Sequence, residues 1–345
     1  MPDVRIRARW RIDPYIATLL ATAAVASLLP ARGVVATGFH YLTTTAIGFL
    51  FFLYGARLST MQAIEGLKHW QLHAAVIAST FLLFPLLGLV AKVLVPGVLT
   101  PELYRGLMYL CCLPSTVQSS IAFTSIARGN VAAAVYSASL SNLIGIALTP
   151  LLAGLLLLSD RSGGGVSLNS MRGIMLQLLV PFVAGHMLRR WIGGFVAKYR
   201  HALGYVDRGS ILLVVYAAFS GGVVAGIWAR SSPVSLVVML VVNIVLLAIV
   251  MVTTTVAARS LGFCRADEIA IVFCGSKKSL ASGVPMAMVL FPASTVGLTV
   301  LPLMLFHQIQ LMVCAWRARR YATRHVVSQG AEATIRCPPS RPAAG

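Results

Sequence analysis

Long apolar runs separated by short polar or basic stretches recur along the whole chain. They lie near residues 15–30, 36–56, 71–95, 104–127, 131–158, 172–189, 209–229, 234–258, 267–290 and 294–316. Most approach the roughly 20 apolar residues that a helix needs to cross a bilayer's hydrocarbon. The pattern predicts an all-α polytopic membrane protein of ten transmembrane helices. The first run follows Arg5, Arg7, Arg9 and Arg11, as a signal peptide would. It ends Ser27-Leu28-Leu29-Pro30, a poor small-x-small cleavage site, so it reads as a retained first helix. Residues 324–345 hold Pro338, Pro339 and Pro342 with Gly and Ala and read as a disordered tail. Residues 1–160 then form a first five-helix unit and 161–323 a second.

Two of the runs are interrupted. In the ninth, Lys277 and Lys278 stand near the midpoint, beside Gly275, Ser276 and Ser279. A central Lys costs roughly 2.5–3.5 kcal/mol to insert. Neither flank is long enough to span alone, so a loop between two short helices fails on length. A broken helix lining a water-filled cavity fits. The fourth run has a matching interruption, with Pro114 followed by Ser115, Gln118, Ser119 and Ser120. Proline removes a helix bond, and hydroxyls and amides replace it. Each break falls in the fourth run of its five, and two units of odd span number insert with opposite orientation. Paired interrupted helices in corresponding places of inverted repeats point to a transporter's binding site.

The fifth run carries Ala133, Ser137, Ser141, Gly145 and Thr149 at four-residue spacing, one small-residue face for close helix contact. It is expected against the broken fourth helix, with Asn142 beside it. His307 sits with Gln308 and Gln310 in the last run. It reads either as a buried structural histidine or as a proton-linked group.

Composition narrows the class further. Of 345 residues, 58% are hydrophobic and 11% charged, with a net charge of +19. A soluble globule hides less apolar surface than this, and a disordered chain is charge-rich and apolar-poor. Apart from Lys277 and Lys278, Lys and Arg divide 20 to 6 between alternate sides, favouring the side of both termini. That asymmetry places both termini in the cytoplasm of a plasma (inner) membrane, with the basic loops at lipid headgroups. No basic patch is interleaved with aromatics, so nucleic acid is not an expected partner. The six cysteines form no CxxC and read as small buried hydrophobes.

The stretch Cys112-x-Pro114, then Gln118-Ser119-Ser120, then Ala127-Arg128-Gly129-Asn130-Val131-Ala132 resembles the bile acid:sodium symporter family. There a Cys-Pro-Gly-Gly opening leads through Ser-Asn to Ala-Arg-Gly-Asp-Val-Ala. Gly275 to Gly283 resembles that family's second interrupted helix. The likeness covers about residues 12–320 and points to its SBF-like branch. It implies ten helices in two inverted five-helix repeats. Helices one, two, six and seven would form a panel, and the rest a core with helices four and nine discontinuous and crossed. In sodium-coupled members an intramembrane Glu at the second break helps bind the ions. That position is Phe273 here, and a later Gln position is Lys277. Fifth-helix Ser and Thr ligands fall on Ala134 and Ala138, and the Ser-Asn pair becomes Ser119-Ser120. All nine acidic residues lie in loops, tails or span edges. A hard cation wants oxygen ligands and a compensating charge, so sodium coupling is not expected. No cofactor is expected, and proton coupling is left open.

Three classes follow. The first is a secondary transporter of a small organic anion, with Lys277 or Lys278 supplying the charge that sodium supplies elsewhere. The second is a non-transporting regulatory or scaffold protein of the same fold. The third is an intramembrane hydrolase, against which neighbouring Ser276 and Lys277 point apart. A count from Gly275 favours Lys277 as the lysine facing the solute. The candidate site is Pro114, Ser115, Gln118, Ser119, Ser120, Asn142, Gly275, Ser276, Lys277, Lys278, Ser279 and His307. Oligomeric state is left open.

Overall fold

The computed structural model describes residues 14–57, 69–157, 168–224, 226 and 233–329. Among them every regular element is helical: α1 (Pro14–Leu28), α2 (Gly33–Arg57), α3 (Trp70–Leu94), α4 (Pro101–Cys112), α5 (Gln118–Ile126), α6 (Val131–Leu157), α7 (Leu168–Lys198), α8 (Arg200–Val224), α9 (Pro233–Ser260), α10 (Arg265–Gly275), α11 (Leu280–Leu290) and α12 (Ala293–Gln329). Six helices are long and apolar enough to cross a membrane, from α2, α3, α6, α8, α9 and α12. The outer surface is that of a lipid-facing protein. Val34 is 89% exposed and Val93 87%, while Asn243 and Gln310 are fully buried. In a bilayer, polar groups turn inward to find partners.

Several element boundaries differ from the apolar pattern: the run near 172–189 continues as α7 to Lys198, and the run near 209–229 begins at Arg200, because polar and basic residues hide those turns. The run near 104–127 begins earlier, at Pro101, because Thr100 caps the helix by accepting from the Leu103 N–H at 3.4 Å. Glu102 and Arg105 hide that turn from a hydropathy reading. The last helix continues to Gln329, six residues into the segment read as tail. The arginine-rich head, the segments 58–68 and 158–167 and the rest of the tail lie outside the described residues.

Helix α2 packs on α7, α8 lies on α1 and α2, and α12 packs on α4, α8, α9 and α11. The α2–α7 contact is a reciprocal glycine crossing. A Cβ at Gly55 would collide with the Phe182 carbonyl, and one at Gly185 with the Phe52 carbonyl. Small residues let the two backbones touch.

The middle of α3 is a π-turn, Ser79–Leu83. The Phe84 N–H reaches back five residues to the Ser79 carbonyl. The next position in that register is Pro85, which has no N–H. The Thr80 carbonyl is thereby left for another donor.

The start of α10 is fixed by two clamps. Asn130 Nδ2 donates to Asp267 Oδ1 at 2.7 Å, and the Asn130 N–H donates to the Ala266 carbonyl at 2.9 Å. Glu268, nearly buried, accepts from Arg259 Nε at 3.0 Å and from Arg265 at 2.7 Å. These ties join α9, α10 and the turn before α6, so the second interrupted helix enters the fold at a set depth.

Candidate functional site

The interruption between α4 and α5 follows from Pro114. Each carbonyl it frees has a partner elsewhere. The Ser115 N–H, which would close a turn onto Cys111, donates instead to Ser141 Oγ at 3.1 Å. Thr149 Oγ1 donates to the Cys112 carbonyl at 2.9 Å. The Ser279 N–H donates to the Pro114 carbonyl at 2.9 Å, and Asn142 Nδ2 to the Ser115 carbonyl at 2.6 Å. All but the Ser279 bond come from α6, and Gly145 on its small-residue face lets Pro114 sit against it: a Cβ there would lie 2.6 Å from the ring.

The interruption between α10 and α11 is satisfied by the first break and by α3 and α12. Ser120 Oγ donates to the Phe273 carbonyl at 3.0 Å, Ser115 Oγ to Cys274 at 2.5 Å and Ser79 Oγ to Gly275 at 2.8 Å. Gln310 grips the Lys278 backbone from both sides. Its Oε1 accepts from the Lys278 N–H at 2.9 Å, and its Nε2 donates to the Lys278 carbonyl at 3.0 Å. The same Nε2 lies 2.8 Å from His307 Nδ1. The two breaks thus form one hydrogen-bonded unit.

Both lysines are fully buried, and they are treated differently. Lys278 Nζ donates to the carbonyls of Thr80 at 2.8 Å, Cys111 at 2.9 Å and Leu113 at 2.7 Å. Its three N–H groups are used up, and the Phe84 ring lies 4.1 Å away. Two of the oxygens belong to the C-terminal end of α4, where a helix dipole favours a cation. Lys277 Nζ has no hydrogen-bond partner and rests 4.1 Å from the Phe123 ring centre and 5.5 Å from that of Phe273.

A cavity of about 1200 Å³ adjoins the breaks. One end is formed by the first turns of α5 (Gln118, Ser119) and α11 (Leu280, Ser282), with Thr116, Ser279 and Asn142. The other end holds Arg57, His201, Asp207 and Arg208, and its flanks are apolar, from Phe51 and Phe182 to Leu143 and Met286. Arg57 and Asp207 form an ion pair across α2 and α8.

The predicted residues divide. Gln118, Ser119, Asn142, Ser279 and His307 line the cavity. Pro114, Ser115, Ser120, Gly275, Ser276, Lys277 and Lys278 do not, and they pack behind it. Lys277 therefore does not face the cavity, contrary to the count from Gly275. Its stem turns the amine onto two aromatic faces, and the freed carbonyls draw Lys278 the other way. Ser276 Oγ donates to the Val272 carbonyl at 2.6 Å, so it forms no pair with Lys277. Ser141 and Thr149 stand on the small face expected against the broken helix, whereas Ser79 and Ser282 escape a sequence reading because Ser and Thr are common in membrane helices. The Arg57–Asp207 pair escapes because 150 positions separate its members.

Asn142 bridges the breaks. Besides the Ser115 bond, its Oδ1 accepts from Ser282 Oγ at 2.8 Å. Asn142→Leu leaves the Ser115 carbonyl without its donor and the Ser282 hydroxyl without its acceptor and should cost about 1–3 kcal/mol, read as a lower melting temperature. Ser282→Ala should cost less, because the amide keeps its bond to Ser115.

A sequence model of the SBF-like CPA transporter family matches residues 13–323. An uncharacterised protein of Pseudomonas aeruginosa is 56% identical over 318 residues, 92% of this chain and 95% of its own. A protein of Escherichia coli K12 named "Putative symporter YfeH" is 56% identical over 310 residues, 90% of this chain and 93% of its own. Sodium/bile acid cotransporter 7 of Danio rerio is 29% identical over 315 residues, 90% of this chain and 92% of its own. The family is one of transporters and not of enzymes, which removes the hydrolase reading. An all-helical chain with two mutually bonded helix breaks, matched over nearly its whole length, belongs to the SBF-like CPA transporter family.

Proposed function

We propose that the protein is a secondary transporter that moves a small organic anion by alternating access. The observation that carries this reading is the sorting of half-helix ends. The N-terminal turns of α5 and α11 line the cavity, whereas carbonyls at the C-terminal end of α4 hold the Lys278 ammonium. N-termini attract anions and C-termini attract cations. An acidic solute group bound at Ser119, Asn142 and Ser279 meets both positive ends, and the apolar flanks take an organic body. Arg57, His201 and Arg208 make the far end basic enough to draw an anion in.

Lys278 stands where a coupling cation would. Three carbonyl oxygens around one Nζ are a donor set of the kind a hard cation takes, and in this reading the Lys278 ammonium takes that cation's place. Coupling then falls to protons, with His307, His201 and Asp207 as the titratable groups in the cavity wall. The same reading carries the ten-span count, two inverted repeats, a panel of α1, α2, α7 and α8, a core of the other helices, and cytoplasmic termini. Its support is the five-and-five spacing of the breaks and the 20-to-6 division of Lys and Arg.

The test is uptake of labelled carboxylates and organic sulfonates into sealed vesicles of the purified protein, with sodium replaced by choline at fixed ionic strength. Uptake of at least one anion, equal in both salts, is expected. A saturable sodium requirement would overturn the built-in cation. Folded protein that takes up none of the panel would favour a non-transporting role.

A further inference from the structure

One buried cation lacks an acceptor. Lys278 spends its three N–H groups on three carbonyls, but Lys277 Nζ, equally buried, has no hydrogen-bond partner. The hydroxyls of its chain neighbour Ser276 and of Ser120 on α5 are engaged elsewhere. Ser120 Oγ donates to the Phe273 carbonyl, and Ser276 Oγ to Val272. What remains is ring face, with Phe123 4.1 Å and Phe273 5.5 Å from the nitrogen, and the thiols of Cys274 and Cys314, neither of which makes a hydrogen bond to it. The quadrupole of a ring attracts an ammonium but offsets only part of the lost hydration. A group in this position is short of an anion.

Phe123 has two neighbours of opposite kind. It is half-buried, lines the cavity beside Ser119 and Ala122, and also covers Lys277. One aromatic ring therefore separates the unpaired amine from the cavity that the half-helix N-termini face. The ring sits on α5, nine residues long and fixed at its start by the breaks. A change of χ1, or a small shift of α5 against α10, takes the ring out of the way.

We propose that Phe123 is a gate and Lys277 the anion contact behind it. With the ring in place the amine is sealed. With the ring displaced the amine opens to the cavity and pairs with the acidic group of the solute. Lys277 is then the residue that distinguishes an acidic solute from a neutral one of the same shape. This deepens the transport reading and rests on it for the solute's identity, whereas the gate is a property of the folded chain alone.

The experiment reads the amine directly. The full-length protein in vesicles is treated with a water-soluble acetylating reagent, and each lysine is followed by peptide mass spectrometry. Lys92 and Lys198, both exposed, are the references, and Lys278 is the buried control. In the native protein Lys277 and Lys278 should both react far more slowly than the references, with Lys277 the faster of the two. An open minority state is commonly on the order of 0.1–10% of molecules. Phe123→Ala should therefore raise the rate at Lys277 by about tenfold or more and leave Lys278 protected. Benzoate should slow the reaction at Lys277 in that variant and not at Lys92. A folded Phe123→Ala protein with Lys277 still protected overturns the gate, as does a native protein whose Lys277 reacts as fast as Lys92. A rate indifferent to benzoate overturns the anion contact. Phe123→Leu is run alongside. If neither variant keeps a melting transition, the native time course decides: Lys277 reacting before Lys278 supports the gate, and equal protection overturns it. Because acetylation needs no transport, failure of the uptake test and failure of the gate are separate results.

Discussion

Lys278→Met should unfold or nearly unfold the protein, whereas Lys277→Met should leave it as stable as before or more so. The two residues are neighbours, equally buried and equally charged, so composition and burial predict the same outcome for both. Their partners predict opposite outcomes. Methionine keeps most of the stem's volume and removes the ammonium. At position 278 this strands the carbonyls of Thr80, Cys111 and Leu113 with no donor. Removing one side of a buried charged interaction costs about 3–5 kcal/mol, a large part of the roughly 5–15 kcal/mol that holds a domain together. At position 277 the lost group had no acceptor. Replacing such a charge by an apolar side chain is often neutral or stabilising by about 1–4 kcal/mol. Melting temperatures of the two full-length variants in one detergent decide the matter. A more damaging Lys277→Met would mean that the carbonyl seat is not what holds the breaks.

Gly55→Ala and Gly185→Ala should each damage the protein far more than their single methyl suggests. A Cβ on Gly55 would also approach the His186 amide nitrogen at 2.9 Å, and one on Gly185 the Ala56 amide nitrogen at 3.1 Å. The obstacles are main-chain atoms, which cannot rotate aside, so α2 and α7 must separate. Overpacking typically costs about 1–3 kcal/mol, and a backbone collision belongs at the top of that range or above it. Gly194→Ala, in the same helix α7 with nothing within 4 Å, is the control. It should be neutral or gain up to about 1 kcal/mol from helix propensity. Yield from membranes and thermal unfolding separate the pair from the control. A Gly55→Ala protein that melts with the parent would mean that the crossing relaxes without cost.

Much of this was legible in the chain because the signals are local. Apolar runs mark where the helices lie, although α7, α8 and α12 each extend nine or more residues past their runs into polar and basic turns. Pro114 and the paired lysines mark the breaks because each violates a rule of membrane helices within its own segment. The small face of α6 was legible from spacing, and so was its docking on the broken helix. What was hidden depends on the main chain in three dimensions. No side-chain pattern announces that the Thr80 carbonyl is free, since this requires a π-turn meeting Pro85. The seat could not be assigned to Lys278 over Lys277, because the choice depends on where Cys111 and Leu113 point after the helix unwinds. The cavity draws about a third of its wall from α2 and α8, and no motif spans those elements.

The cation seat has an unusual genetic footprint. Its three oxygens are main-chain atoms, and every amino acid carries one. Point mutations at Thr80, Cys111 or Leu113 change volume without deleting a ligand, so the site is blind to the codons at the positions that form it. The seat depends instead on Pro85 and Pro114, which carry no charge and work by an N–H they do not have. A base change that turns either proline into leucine or alanine restores a backbone donor beside the seat. Damaging variants at this electrostatic centre would therefore look, on paper, like harmless exchanges of one apolar residue for another.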